Sequence, residues 1–424
     1  MTPAIVVLLA LVVRLAPAGA AQTPAASPAP PVTERITGIR VRGNHTTFDA
    51  EIIALAGARV GDEFAADTLA VVKARLEKSD RFRSVDVLKR YESLSDPSAV
   101  LVVIVIEERV GISVADPTPG TLRRLRANTM WLPVLRYEDG YGFTYGARVS
   151  FVDVLGPRSR LSAPLIWGGE RRATAEVERI FERGPLSRIQ ATGGVWQREH
   201  PALDVAGRRA GATLLADRAV TPWFRIGAHF SAQSVHFGDT NDTLRTGGIE
   251  ATLDTRRDPA FPRNAVYASV GWDRLWFEQA ADTSRLTTDI RGFLGLFRQS
   301  VLAVRLQQTR AADTLPVFEQ PLLGGTSSLR GFPLGFRYGD RMAAGTLEIR
   351  LPVSSPRHIG RAGIAVFADS GAVYDAHTTL DHAKFDTGIG AGWFMQLPVL
   401  SFRLDVAHGL NAGTRAHLTL GVTF

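Results

Sequence analysis

In RAHLTLGVTF, residues 415–424, Ala416, Leu418, Leu420, Val422 and Phe424 share one face of an extended chain, while Arg415, His417, Thr419, Gly421 and Thr423 share the other. GTLEIRLPV divides the same way, with Leu347, Ile349 and Leu351 against Glu348 and Arg350. So do VLAVRLQQ (Leu302, Val304, Leu306 against Arg305, Gln307) and SFRLDVA (Phe402, Leu404, Val406 against Arg403, Asp405). Segments of about ten residues with one apolar and one wet side, separated by turns, predict a barrel with lipid outside and water within. Applied from Trp131 onward, the alternation predicts strands at 131–138, 141–153, 158–169, 171–183, 187–196, 208–217, 222–235, 245–255, 264–277, 283–294, 299–309, 342–351, 361–369, 384–395, 398–407 and 414–424. That is sixteen, and single-chain bacterial barrels have even numbers. A secreted β-sandwich is the competing architecture from pattern alone. Trp131, Trp167, Trp196, Trp223, Trp272, Trp276 and Trp393 are candidates for an interfacial girdle, with some free to sit in the lumen.

Residues 35–109 have a different texture. RITGIRVRGN reads as a strand and turn, Phe48–Ala56 carries Phe48, Ile52, Ile53 and Leu55 at near-helical spacing, and Asp67–Ser79 places Leu69, Val72 and Leu76 on one face after an Asp cap. SVDVLKRY and AVLVVIVIEER add two strands. The order β-α-α-β-β predicts one small α+β domain. Ahead of it, the apolar run Ala4–Val13, Arg14 and the small-x-small site at Ala18 and Ala20 predict a signal peptide over residues 1–20. Residues 21–34 form a Pro/Ala-rich linker, and 110–130 a connector to the barrel at 131–424.

Composition narrows the function classes. There is no cysteine, which excludes disulfides, thiolate metal sites and Cys nucleophiles. The net charge is +7; residues 35–109 carry 12 basic and 12 acidic side chains and residues 1–34 one of each, so the excess lies in 110–424. Those arginines are scattered one or two per segment rather than clustered with aromatics, which favours lumen and rim charges over nucleic-acid binding. No G-x-S-x-G, H-E-x-x-H, phosphate-binding loop or paired-carboxylate cleft is found, so neither an enzyme nor a cofactor or metal site is expected.

The long connection, Arg310–Arg341, carries GGTSSLRGF, with Leu329, Arg330, Gly331 and Phe332 at its end. Long loops in economical barrels are usually functional. If it folds inward, Arg330 meets wet-face carboxylates, with Glu348 and Asp369 the expected pair. An arginine fork suits this pairing because it binds carboxylates bidentately and does not deprotonate. Gly324, Gly325 and Gly331 allow tight turns and close approach to the wall.

GGTSSLRGF followed by GTLEIRLP, VFADSG and the terminal Phe424 resembles the outer-membrane assembly and translocation barrels of the BamA/TamA type, the bacterial surface antigen family. DTRRDPAFPRNAVY resembles another of that family's segments, with Asn264-Ala265 where Gly is commoner, and GNHTTFDAEII and LEKSDRFRSVDV resemble a POTRA domain. The resemblance spans residues 35–424. It implies a 16-stranded antiparallel transmembrane β-barrel preceded by one β-α-α-β-β POTRA domain, in the bacterial outer membrane with the POTRA domain in the periplasm. It also implies a loop whose RGF arginine contacts acids on the wall. The implied function is capture of extended clients by strand addition along Val85–Arg90, and their insertion or passage through the seam between first and last strands. Pro133, breaking a short first strand, is expected to weaken that seam, and Phe424 to act as a C-terminal signal. Implied partners are unfolded outer-membrane or secreted proteins, outer-membrane lipids, periplasmic chaperones or accessory lipoproteins, and no nucleic acid. A passive pore or dedicated secretion channel is the alternative.

Overall fold

The computed structural model describes residues 33–93, 96–109, 128–354, 360–398 and 400–422. The expected signal peptide, nearly all of the linker, the connector through residue 127 and Phe424 lie outside the described residues. The chain divides into two compact units, Met1–Thr118 and Pro119–Phe424.

The first unit runs β1 (Arg35–Arg42), α1 (Asp49–Ala56), α2 (Thr68–Lys78), β2 (Phe82–Ser93) and β3 (Asp96–Glu108). Its sheet order is β1-β3-β2, with β1 parallel and β2 antiparallel to β3. Val100, Val102, Ile104 and Ile106 on one face of β3 pack with Ile52 of α1 and Val72 and Leu76 of α2. Each such side chain contributes on the order of 1.5–3 kcal/mol when fully buried. Two expected details differ. Asp67 has helical backbone angles and makes no capping bond; instead the Thr68 hydroxyl accepts the Ala65 N–H at 2.9 Å. Phe48 sits just ahead of α1 rather than on its packed face and is 67% exposed.

The second unit is a closed barrel of sixteen strands, each antiparallel to its neighbours. They are β4 (Thr129–Glu138), β5 (Gly142–Val152), β6 (Ser159–Gly168), β7 (Glu170–Ile180), β8 (Arg188–His200), β9 (Val205–Thr221), β10 (Phe224–Phe237) and β11 (Thr240–Asp254). After these come β12 (Ala265–Phe277), β13 (Thr283–Gly295), β14 (Val301–Ala311), β17 (Arg341–Ser354), β18 (Arg361–Tyr374), β19 (Asp386–Gln396), β20 (Leu400–Gly409) and β21 (Gly413–Val422). Between β14 and β17 the long connection holds a small hairpin, β15 (Leu322–Leu323) with β16 (Arg337–Tyr338), and one helical turn, Gly325–Ser328. This connection marks the loop end of the barrel; turns such as 153–158 and 296–300 mark the turn end. It is not alone in length, since residues 255–264 and 375–385 also make extended connections.

The alternation faces as expected: Leu165, Leu214, Phe230, Ile249, Leu306 and Leu347 point away from the lumen and are exposed, forming the outer apolar band. Trp131, Trp167, Trp223, Trp272, Trp276 and Trp393 are exposed with them. Trp196 does otherwise, standing opposite Arg172 and Arg209 in the lumen.

The seam departs from expectation in one respect. Pro133 does not break β4, which runs continuously through it and pairs along its whole length with β5, Pro133 opposite Ala147. Proline cannot donate to a ladder, and among the described residues Pro133 has its pair on the β5 side alone. Among the described residues, Thr419–Glu138, Leu420–Tyr137 and Gly421–Arg136 join β21 to β4, against ten pairs between β20 and β21.

Candidate functional site: the inward loop, its carboxylates and the seam

The loop turns inward at glycines. Gly324 has φ 118°, and a Cβ there would lie 1.9 Å from the Pro333 carbonyl oxygen, so no larger residue closes this turn. Gly325, next along, begins the helical turn and donates its N–H to Phe332 O at 3.0 Å. Gly331 has φ 92° and presses on the backbone of the wall, where a Cβ would come within 2.6 Å of Gly409 N. Leu329 and Phe332 are buried with Leu323, Met342 and Ala344, wedging the loop against β17 by apolar contact.

Between those two anchors Arg330 enters the lumen with only 4% of its surface exposed. Its Nε and Nη2 donate to the two oxygens of Asp369 at 2.6 and 2.7 Å, and its backbone N–H donates to Asp369 Oδ2 at 3.1 Å. Nη1 donates to Glu348 Oε2 at 2.8 Å and to Asp405 Oδ2 at 3.3 Å. The face of Phe367 lies 3.3 Å from the guanidinium carbon, where a ring quadrupole attracts a cation. Glu348 and Asp369 are thus brought together on Arg330, and Asp405 joins them.

Two further arginines complete the cluster. Arg403 donates to both Glu348 oxygens at 3.0 and 2.7 Å and to Asp405 at 2.7 Å, and Arg350 donates to Glu348 at 2.7 Å. Three guanidinium groups and three carboxylates balance, so every buried charge has an opposite partner, the condition under which burying charge is tolerable. Alternation had already put Arg350, Arg403 and Asp405 on the wet face; what marks them as site residues is strand register, which alternation does not reveal.

The loop is also tied to the seam. Gly331 N–H donates to Nε2 of His417 on β21 at 2.9 Å, and His417 is 1% exposed. Because Nε2 accepts, the ring proton of the neutral imidazole belongs on Nδ1. Nδ1 meets Asp139 Oδ2, just beyond β4, at 2.5 Å. One side chain therefore touches the loop on one side and, across the seam, the first hairpin on the other. Pro133 lies away from this contact, outside the part of β4 that pairs with β21 among the described residues.

Elsewhere the loop is fastened to distant strands. Glu319 receives Arg209 of β9 at 2.7 Å and Arg285 of β13 at 2.9 Å, Ser327 O accepts from Arg305 and Gln307 of β14, and Arg337 donates to Asp386 of β19 at 2.6 Å. Beside the Arg330 cluster a cavity of about 420 Å³ remains in the lumen. Toward the turn end, Phe261 packs with Phe293 and Phe394.

A family model described as the Omp85 superfamily domain matches residues 187–424, more than half of the chain. The chain belongs to the Omp85 superfamily. Among solved structures, this Omp85 barrel is similar to BamA from Haemophilus ducreyi lacking POTRA domains 1–3, at 15% identity and TM-score 0.62, covering 92% of this chain and 85% of that one. It is also similar to CdiB from Escherichia coli (12% identity, TM-score 0.55, 93% of this chain and 77% of that one) and to CdiB from Acinetobacter baumannii (12%, 0.53, 92% and 74%). At these identities the likeness is one of fold. No curated protein sequence matches the chain. As an Omp85 barrel it is a protein of the bacterial outer membrane.

Proposed function

We propose that this Omp85 barrel is a non-enzymatic assembly or translocation factor that passes extended clients through the β4–β21 seam, with the Arg330 loop bracing the wall beside it. The observation carrying the proposal is the seam itself. Among the described residues three pairs hold it, where each neighbouring junction has ten, and His417 connects it to the loop. A closed barrel has no free strand edge; a junction this short is where one forms at least cost.

The first unit suits client capture. β2 is the edge of its sheet, pairing only with β3 among the described residues, and Val85–Arg90 lies within it. An extended client adding there is held by main-chain bonds with little sequence demand. On this reading the unit acts as a POTRA domain in the periplasm, receiving clients from chaperones or accessory lipoproteins.

The test is reconstitution in liposomes, following protease protection of an unfolded barrel client beside conductance, for wild type and Arg330→Ala. Accelerated client insertion that falls in the variant supports the proposal. Conductance with no accelerated insertion in wild type contradicts it and favours a dedicated secretion channel.

A further inference from the structure

The arginines of this barrel fall into two populations. Those facing the lumen are paired, Arg415 near the loop end of β21 excepted: Arg188 with Asp217, Arg285 with Asp273 and Glu319, Arg291 and Arg305 with Asp289. Five others, Arg171 (β7), Arg208 (β9), Arg245 (β11), Arg274 (β12) and Arg310 (β14), stand on the outward face. Their orientation follows from alternation with the exposed apolar residues of the same strands, such as Leu214, Ile249, Val270 and Leu306. Four of the five are exposed and Arg274 is half-buried. Their side chains make no hydrogen bond, ion pair or ring contact among the described residues. The outward arginines nearer the turn end are engaged, Arg179 over Phe181 and Arg218 with the Gly184 carbonyl.

Strand register places the five at one level. Cross-strand rows climb around this barrel: the row beginning at Arg188, at the foot of β8, passes Asp217, Gly227, Glu250, Gly271, Thr287, Thr309 and Met342 and reaches Val373 near the head of β18. Arg171 and Arg208 share a row through Gln197. The row of Arg245 meets β7 at Ala175, four residues nearer the turn end than Arg171. Arg274 stands opposite Gly247, two residues below Arg245, and the row of Arg310 meets β12 at Trp272, two residues below Arg274. These downward steps offset the climb, so the arginines form a near-horizontal belt at the loop end, with Trp276 directly opposite Arg245.

We propose that this belt binds the phosphates of anionic lipid headgroups in the leaflet at the loop end. The apolar band beneath it holds acyl chains, tryptophan marks the interface, and a free guanidinium fork is matched to phosphate oxygens. Within these eight strands the outward face presents a single acid, Glu199, one step nearer the loop end than Gln197. The belt spans β7–β14, on the side of the barrel away from the seam. On the remaining strands the one outward arginine among the described residues, Arg341, is occupied by the Ala311 and Thr378 carbonyls. Lipid is thereby held on the far wall, and the wall beside the seam carries no such anchor.

The test uses the full chain in detergent, with native mass spectrometry counting retained phosphatidic acid against phosphatidylcholine and inorganic phosphate as competitor. Compared with wild type are Arg171→Gln/Arg208→Gln/Arg245→Gln and, at the turn end, Arg179→Gln/Arg218→Gln, with heat-modified gel mobility confirming that each is folded. Roughly five-fold per arginine near an anionic surface gives about a hundred-fold weaker retention in the triple variant and little change in the turn-end pair. If the triple variant does not fold, the three single variants are each expected to lose about five-fold. Retention unchanged in the belt variants, or lost equally in the turn-end pair, would overturn the proposal. So would displacement by inorganic phosphate at the lipid's own concentration, which would make the belt a site for free anions.

Discussion

Arg330 is held by bonds that no other side chain reproduces. Arg330→Ala leaves Asp369 buried without its bidentate partner, so we expect a loss of about 3 kcal/mol or more. A lower temperature for conversion of the compact, fast-migrating gel band would register it. Arg330→Lys should recover only part, since a point charge cannot span Asp369 and Glu348 as the fork does. His417→Ala removes the acceptor for Gly331 N–H, and a lost hydrogen bond of about 1 kcal/mol corresponds to roughly five-fold faster amide deuterium exchange at Gly331. Unchanged exchange there would mean that loop and seam are not joined through His417. Arg330, Glu348 and Asp369 were legible in the sequence because one guanidinium in the otherwise uncharged stretch 320–336 demands acids, and alternation supplied two. Asp405, Arg403 and His417 were on the correct face but unremarkable, since periodicity of two fixes which side a residue faces and says nothing of its height against the next strand.

At the scale of elements, Glu108 at the end of β3 fastens the turn before α1, accepting the Thr46 and Thr47 N–H groups at 2.8 and 2.7 Å. Partial burial works to raise its pKa, but the bonds from the Thr47, Thr46 and His45 segment outweigh it and hold the carboxyl below its ordinary 4.5. A carboxyl with a depressed folded pKa stabilises above its unfolded value, and that contribution is lost as pH falls through the folded one. Melting of the full chain followed by circular dichroism should therefore separate wild type from Glu108→Gln at pH 6, with the gap closing as pH drops below about 4. A gap constant with pH would contradict this. The strands themselves were legible because lipid and water enforce alternation on every one. The Asp67 cap was not, because Thr68 offers a competing local bond, and Pro133 was misread as a break because the continuous ladder of β4 with β5, where Pro133 stands opposite Ala147, was not visible in the sequence.

For the whole molecule, the β4–β21 junction has the fewest pairs of the sixteen among the described residues, and His417 gives the loop a hand on it. The absence of cysteine makes this directly testable, because an engineered pair has no competing thiols. Tyr137 and Leu420 stand directly opposite each other across the seam, and residues so paired are close enough to bridge. The most direct measurement is client insertion into liposomes by the Tyr137→Cys/Leu420→Cys protein, oxidised and then reduced. Insertion is expected to stop when the bridge is closed and to return on reduction, with the barrel folded in both states. Undiminished insertion through a locked seam would contradict it.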